Sequence, residues 1–96
     1  MNITYSPDKD AANIKKHGVS LALATQLEWD TLWAMQDSRR DYGETRCIGY
    51  ALLADRLYCV VFTDRGEHET GERRIISLRK ANNREKANYA KTFDAA

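Results

Sequence analysis

The chain has 96 residues, of which 43% are hydrophobic and 30% are charged, and its formal net charge is +1. This length predicts one domain spanning residues 1–96, since domains are commonest at about 100–150 residues. No apolar run approaches the roughly 18 residues that a membrane-spanning helix needs. The start of the chain also lacks the basic flank and apolar core of a signal peptide, so we expect a cytoplasmic location and no membrane partner.

The first elements in chain order are a short strand and a helix. Residues 2–5 contain β-branched and aromatic side chains, which favour a strand. Ser6 and Pro7 predict a helix start, because a serine hydroxyl caps free amides and proline tolerates the first helical position. The helix should end at His17, since the following Gly18 adopts a positive φ at little cost.

A second helix and four strands follow. Ser20 is the predicted cap of a short helix from Leu21 to about Glu28. Polar turns separate the strand-like segments, so we expect an antiparallel meander. These segments are residues 31–35, 45–53, 57–63 and 71–81.

The last strand is rich in cations. Strict alternation places one half of its side chains, including Arg73, Ser77 and Arg79, on one face, and the other half, including Arg74 and Lys80, on the opposite face. Guanidinium groups match phosphate oxygens in shape and charge, so this strand is a candidate phosphate-binding surface. The alternative is that these arginines are solvated strand ends.

A capping box is predicted at the start of the last helix. Asn82 and Glu85 have the spacing for reciprocal hydrogen bonds at the start of a terminal helix. The predicted fold is therefore α+β, in the order β-α-α-β-β-β-β-α, with the helices packed on one face of a small antiparallel sheet.

Charge is unevenly distributed along the chain. Residues 65–91 contain eight Lys or Arg against four Asp or Glu, whereas residues 1–64 contain seven against nine. A local basic region on a mildly acidic domain suggests an anionic partner. Cys47 and Cys59 lack metal-type spacing and read as small buried hydrophobes. His17 and His68 have no nearby ligand cluster, so we predict no metal site and no cofactor.

Several strings of residues resemble one protein family. The most specific are KKHGVS, within residues 13–20, and RIISLRKA, residues 74–81, and shorter matches occur at residues 39–40, 43–46 and 60–65. On these strings the chain resembles the BrnT toxins of bacterial type II toxin–antitoxin systems, which are small ribonucleases with a fold related to the RelE toxins. Leu78 stands where the family usually has Ala, and the loop at residues 66–72 is longer than is typical.

The resemblance implies a function and partners. It implies an RNA-cleaving toxin that is neutralised by BrnA, an antitoxin with a ribbon-helix-helix DNA-binding domain. It also implies that the pair represses its own operon, so operator DNA is bound only through the antitoxin. We expect an acidic or hydrophobic segment of BrnA to cover the region from Arg65 to Lys80. The alternative is a non-catalytic nucleic-acid-binding or antitoxin-scaffold domain.

Metal-independent RNA cleavage requires charge stabilisation at phosphorus, a base for the 2′-hydroxyl and an acid for the leaving 5′-oxygen. Arg46, Arg65 and Arg79 lie at the ends of three successive strand-like segments. If the meander pairs in order, they could converge on one phosphate. We predict Arg65 and Arg79 as the clamp with Arg46 beside them, whereas the alternatives are a loop-entry charge for Arg65 and a surface pair with Glu44 for Arg46.

The proton-transfer groups are less clearly indicated. Glu44 is a candidate general base, and Lys80 is a candidate for stabilising the leaving group or holding the RNA backbone. His17 titrates in a useful range, but an imidazolium also suits a helix C-terminus for structural reasons, and that structural role is favoured.

Three further side chains are candidate RNA contacts. Ser77 could donate a hydrogen bond to a phosphate. Arg74 could bind RNA, face the antitoxin or pair with Glu72. Tyr89 could stack on a base, although packing of its helix onto the sheet is the favoured reading.

Overall fold

The structure, a computed structural model, describes residues 2–67 and 70–94, so His68 lies outside the described residues. Within them, no helix is long and apolar enough to span a membrane. The elements in chain order are β1 (Asn2–Thr4), α1 (Pro7–His17), a 3₁₀ helix (Leu21–Gln26), β2 (Glu28–Asp37), β3 (Arg46–Leu53), β4 (Arg56–Arg65), β5 (Glu72–Lys80) and α2 (Asn83–Asp94).

The five strands form one mixed sheet in the order β1-β5-β4-β3-β2. The predicted antiparallel meander is confirmed for β2 to β5. The prediction of a wholly antiparallel sheet is wrong, because β1 pairs in parallel with β5, with Asn2 opposite Glu72. Parallel pairing needs a long crossover, and the chain between these two strands provides one.

Helix α1 is built by the predicted caps and lies against the edge of β5. The Ser6 hydroxyl accepts a hydrogen bond from the Lys9 amide, and Gly18 ends the helix at φ 72°. Asn13 is buried at 5% exposure. Its side-chain amide donates to the Leu78 carbonyl at 2.7 Å, and its side-chain oxygen accepts from the Leu78 amide at 3.2 Å. One side chain therefore takes the place of a neighbouring strand beside β5.

The core lies between the 3₁₀ helix and one face of the sheet. Ser20 caps this helix by accepting from the Ala22 amide, but the turn is 3₁₀ rather than α and ends earlier than predicted. Leu21 and Ala24 are fully buried against the sheet. The sheet contributes buried side chains from its three central strands, among them Ala51, Val60, Phe62, Ile75 and Leu78. Cys59 is buried, Cys47 is half-buried, and both are free thiols.

Helix α2 contacts the other face of the sheet. Ala51 faces the core, so its neighbour Tyr50 points the opposite way, and the Tyr50 hydroxyl donates to Glu85 of α2 at 2.8 Å. The prediction that all helices pack on one face is therefore wrong. The predicted capping box is present: the Glu85 amide donates to Asn82 at 2.8 Å and the Asn82 amide donates to Glu85 at 2.9 Å.

A bulge in β5 changes the predicted faces of its cations. Ser77 lies opposite Val61 but Ile75 lies opposite Phe62, so Ile76 is the extra residue. One inserted residue reverses the alternation of everything before it. Arg74 therefore shares a face with Ser77 and Arg79, which is the face away from the core, and the strict alternation predicted from the sequence is wrong.

Candidate functional site

A cleft of about 360 Å³ lies between α1 and the sheet face opposite the core. We call it the α1 cleft. Its floor is apolar and includes Ile48, Val61 and Cys59. Its walls carry five basic side chains, which are Lys9, Lys16, His17, Arg39 and Arg79. None of the lining residues, all within the described part of the chain, carries a carboxylate, so the cleft is suited to an anion.

Arg79 is held by an ion pair at one end of the α1 cleft. Its guanidinium makes two hydrogen bonds to the Glu85 carboxylate, at 2.8 and 2.9 Å. Tyr50 and the Asn82 amide donate to the same carboxylate. The hydrogen bonds from Arg79 lower the pKa of Glu85 to about 2, so this carboxylate stays ionised and fixes the guanidinium in place.

His17 lies on the α1 wall of the same cleft. It is the last residue of α1, while the helix end itself is capped by the Gly18 amide donating to the Ile14 carbonyl at 2.8 Å. The pKa of His17 is lowered first by burial and then by the positive charges of Lys16 and Arg79. Its imidazole is therefore mostly neutral near pH 7 and able to accept a proton.

Three cations of the cleft were missed by the sequence analysis. Lys9, Asn13 and Lys16 stand at positions i, i+4 and i+7 of α1, a spacing that places these residues on one helical face. The sequence therefore contained a signal for the two lysines. Arg39 has no helical spacing to mark it, although residues 39–40 are among the strings that resemble the family. It reaches the cleft from the β2–β3 connection, where Asp37 accepts two hydrogen bonds from its guanidinium, both at 2.8 Å. The Asp37 side chain is only 2% exposed, and the bonds from Arg39 hold its pKa well below the usual range.

Most of the other predicted cations gather at the far end of the same face. We call this group the distal cluster: Glu44, Arg46, Arg65, Glu72 and Arg74. Arg65 donates to Glu44 at 2.8 Å and lies 3.7 Å from Glu72. The bond from Arg65, followed by the charges of Arg65, Arg46 and Arg74, lowers the pKa of Glu44. A carboxylate with a lowered pKa is a weak proton acceptor, which disfavours Glu44 as the general base.

Arg46 is held in the distal cluster by an aromatic ring. Its guanidinium lies 4.1 Å from the centre of the Tyr42 ring, and its Nε is buried with no hydrogen-bond partner among the described residues. The alternative considered for Arg46, a surface pair with Glu44, is not among the ion pairs of the described residues, in which Glu44 binds Arg65.

The predicted convergence of Arg65 and Arg79 on one phosphate is wrong. Arg65 lies opposite Glu72 and Arg79 lies opposite Cys59, six positions away along β4. Six residues of strand span roughly 20 Å, and the two guanidinium groups are bound to different carboxylates, Glu44 and Glu85, so they do not meet at one phosphate. Of the predicted site residues, the α1 cleft brings together His17, Ser77 and Arg79.

Lys80 and Tyr89 lie outside the α1 cleft. Lys80 borders a shallow depression beside the 3₁₀ helix, together with Tyr58, so it is on the opposite face from Arg79. Tyr89 donates to the Thr31 carbonyl at 2.6 Å, which ties α2 to β2. In the described part of the chain, no group of three or more His, Cys, Asp or Glu side chains is placed to bind a metal ion.

Fold and cleft together define a small α+β domain with a basic groove on the sheet face opposite its core. Residues 5–85 match the family model described as "Ribonuclease toxin, BrnT, of type II toxin-antitoxin system". The chain therefore belongs to the BrnT family of ribonuclease toxins, as its sequence strings indicated. No curated protein matches the chain.

Proposed function

We propose that the protein is a metal-independent endoribonuclease toxin that cleaves RNA in the α1 cleft and is neutralised by a BrnA-type antitoxin. The observation that carries the proposal is the set of five basic side chains around a cleft whose lining contains no carboxylate. Membership of the BrnT family supports RNA as the substrate and an antitoxin as the partner. Cleavage of cellular RNA also accords with action in the cytoplasm.

Arg79 is the proposed stabiliser of the charge that develops at phosphorus. When the 2′-hydroxyl attacks the neighbouring phosphate, negative charge builds up on the non-bridging oxygens. A guanidinium that is already oriented by Glu85 stabilises this charge without reorganising during the reaction. Ser77, which lies on the same sheet face and in the same cleft, is placed to donate to a second oxygen.

His17 is the proposed acceptor of the 2′-hydroxyl proton. It lines the cleft with Arg79, and its lowered pKa keeps the imidazole neutral at physiological pH. After the attack, the leaving 5′-oxygen takes a proton from a donor in the cleft. We propose Lys16, which lines the cleft and is adjacent to His17 in sequence, as this donor. The reaction then yields a 2′,3′-cyclic phosphate and a free 5′-hydroxyl. One proton leaves the 2′-hydroxyl and one proton is added to the 5′-oxygen.

The proposal that no metal is needed follows from the chemistry of the side chains in the cleft. Magnesium sites in proteins use carboxylate and other oxygen ligands. Here the role of neutralising phosphate charge falls to guanidinium and ammonium groups, which bind phosphate oxygens directly.

The distal cluster is proposed to bind flanking phosphates of the same RNA strand. Arg65 and Arg74 share the sheet face of the α1 cleft but lie six and four positions along β4 from the register position of Arg79. Contacts of this kind hold the strand in register and make binding dependent on salt. An antitoxin segment of acidic or hydrophobic character that covers this face from Arg65 to Lys80 would block both regions. Operator DNA would be bound only through that antitoxin.

The test is cleavage of RNA by the purified protein in EDTA, with folding confirmed by circular dichroism. We expect cleavage with 2′,3′-cyclic phosphate ends. We also expect Arg79→Ala to lower kcat about 100- to 1,000-fold, the range for removal of one oriented donor. Arg79→Lys, which keeps the charge but not the fork, should recover only part of the rate.

Lys80→Ala is the matched control for Arg79→Ala. It removes a cation from the adjacent position of the same strand, but on the opposite face, so activity should be unchanged. Intact RNA in EDTA with folded protein would instead support a non-catalytic nucleic-acid-binding domain. Equal loss of activity in Lys80→Ala and Arg79→Ala would remove the α1 cleft from the mechanism.

A further inference from the structure

A second cavity lies beside the α1 cleft on the same face of the sheet. It has a volume of about 290 Å³ and lies between α2 and strands β2 and β3. We call it the α2 pocket. Its walls include Trp33, Met35, Tyr50 and Tyr89, and Asn88 and Thr92 stand at its α2 side. This volume is at the lower end of the roughly 300–1,000 Å³ of small-molecule sites.

The α2 pocket and the α1 cleft share a boundary. Ile48 lines both cavities. Glu85 lines the α2 pocket while its ion-pair partner Arg79 lines the α1 cleft. A ligand with an anionic part in the α1 cleft could therefore extend directly into the α2 pocket across Ile48.

Two aromatic side chains of the α2 pocket stack on each other. The Trp33 and Tyr50 rings lie 6.4 Å apart between centroids at an interplanar angle of 22°. Tyr50 and Tyr89 are fixed by hydrogen bonds to Glu85 and to the Thr31 carbonyl. Met35 is 50% exposed although it is a large hydrophobic residue, which leaves apolar surface in contact with water at the rim.

We propose that the α2 pocket binds a nucleobase of the RNA strand whose phosphate lies in the α1 cleft. The inference rests on the proposed function and adds a subsite to it. Stacking of a base on an aromatic side chain contributes about 1–3 kcal/mol. The exposed side-chain amide of Asn88 supplies both a donor and an acceptor for the base edge.

A nucleobase fits these observations better than an apolar peptide segment does. The pocket is small, it is bordered by the Glu85 carboxylate and the Asn88 amide, and it opens beside five basic side chains. A nucleotide combines a flat aromatic part with an anionic part at a short fixed distance. The two adjoining cavities offer the complementary pair of surfaces.

The test is binding of a short single-stranded 2′-O-methyl RNA, which lacks the attacking hydroxyl and so stays uncut. Its affinity, measured by fluorescence anisotropy, is compared with that of a strand of equal length and charge whose residues are abasic. We expect the strand with bases to bind about 5- to 150-fold more tightly, the affinity ratio that corresponds to stacking of one base. Trp33→Ala and Met35→Ala should reduce this preference.

Ile14→Ala is the matched control. Ile14 is also a large exposed hydrophobic residue, at 47% exposure, but it lies on α1 outside both cavities. Its substitution should leave the preference unchanged. Met35→Ala keeps the test decisive if Trp33→Ala does not fold.

The outcomes separate failure of this inference from failure of the proposed function. Equal binding of the two strands, or an unchanged preference in both pocket variants, would overturn the nucleobase subsite and leave the α1 cleft standing. Loss of antitoxin affinity in Trp33→Ala with unchanged RNA preference would assign the pocket to the antitoxin instead. If neither strand binds at low salt, the proposed function fails and the inference fails with it.

Discussion

Substitution of Asn13 by alanine tests how the α1 cleft is held open. Asn13 is 5% exposed and joins α1 to the edge of β5 through both atoms of its amide. The side-chain nitrogen donates to the Val19 and Leu78 carbonyls at 2.8 and 2.7 Å, and the oxygen accepts from the Leu78 amide at 3.2 Å. Alanine would break all three bonds at once.

The expected loss of stability follows from the groups left without partners. Leu78 is fully buried, so water cannot replace the bonds to its amide and carbonyl. One buried polar group without a partner costs about 1–3 kcal/mol. We therefore expect the free energy of unfolding to fall by about 2–5 kcal/mol, a large part of the roughly 5–15 kcal/mol available to a small domain. The α1 wall of the cleft should also shift, which would lower kcat for RNA cleavage.

Urea denaturation followed by circular dichroism measures the first effect, and single-turnover cleavage of RNA measures the second. Ser6→Ala is the control, because Ser6 caps the same helix at its far end through a bond to the exposed Lys9 amide. That variant should lose about 1 kcal/mol and keep its kcat. An ordinary surface substitution changes the free energy of unfolding by about 0.5 kcal/mol or less. If Asn13→Ala changes it by no more than that, the hydrogen bonds of Asn13 do not stabilise the fold as argued.

Three further predictions address charge. Cleavage should decline as the pH falls below the lowered pKa of His17, because protonation removes the base; His17→Gln should lose this acid limb, and an unchanged profile would exclude His17. Glu85 has a native pKa of about 2, which is lower than the pKa of an ordinary glutamate. Ionised Glu85 therefore stabilises the fold at pH values above the ordinary pKa, and this stabilisation is lost as the pH falls toward 2. Glu85→Gln should therefore lower stability by about 1–2 kcal/mol at pH 7, after solvent screening, with a difference that shrinks in acid; a constant difference would contradict the assignment. Arg65→Ala should raise KM and reduce the salt dependence of binding with little effect on kcat, and a loss confined to kcat would place Arg65 at the reaction centre.

Local signals in the sequence predicted the helix ends. Ser6, Gly18 and the Asn82–Glu85 box act through hydrogen bonds to backbone groups within four residues, so the sequence contains the whole interaction. The meander was predictable for the same reason, because short turns leave antiparallel pairing as the available arrangement. Parallel pairing of β1 with β5 joins segments about 70 residues apart, and no local pattern reports it.

The candidate site was predictable only in part. Successive antiparallel strands run in opposite directions, so the end of β4 and the end of β5 lie at opposite edges of the sheet. This rule places Arg65 far from Arg79 and could have been applied to the sequence. The bulge at Ile76 could not, because it is defined by the pairing of β5 with Val61 and Phe62. Arg39 lines the cleft because it binds Asp37, whose side chain is buried. That burial is likewise a tertiary feature.

In the proposed mechanism, the cations of the α1 cleft would divide between attracting RNA and stabilising the reaction. Arg79 and Arg39 each have a carboxylate partner, so their charges are largely balanced before RNA arrives. Lys9 and Lys16 have no such partner among the described ion pairs and are exposed, so in this mechanism they would supply the net positive field that draws a phosphate into the cleft. The fork that holds Arg79 on Glu85 leaves other N–H groups of the guanidinium for the phosphate. The carboxylate partner weakens the attraction of Arg79 for a phosphate in the ground state and in the transition state alike. The oriented donors would raise kcat only to the extent that they fit the transition-state oxygens better than those of the ground state.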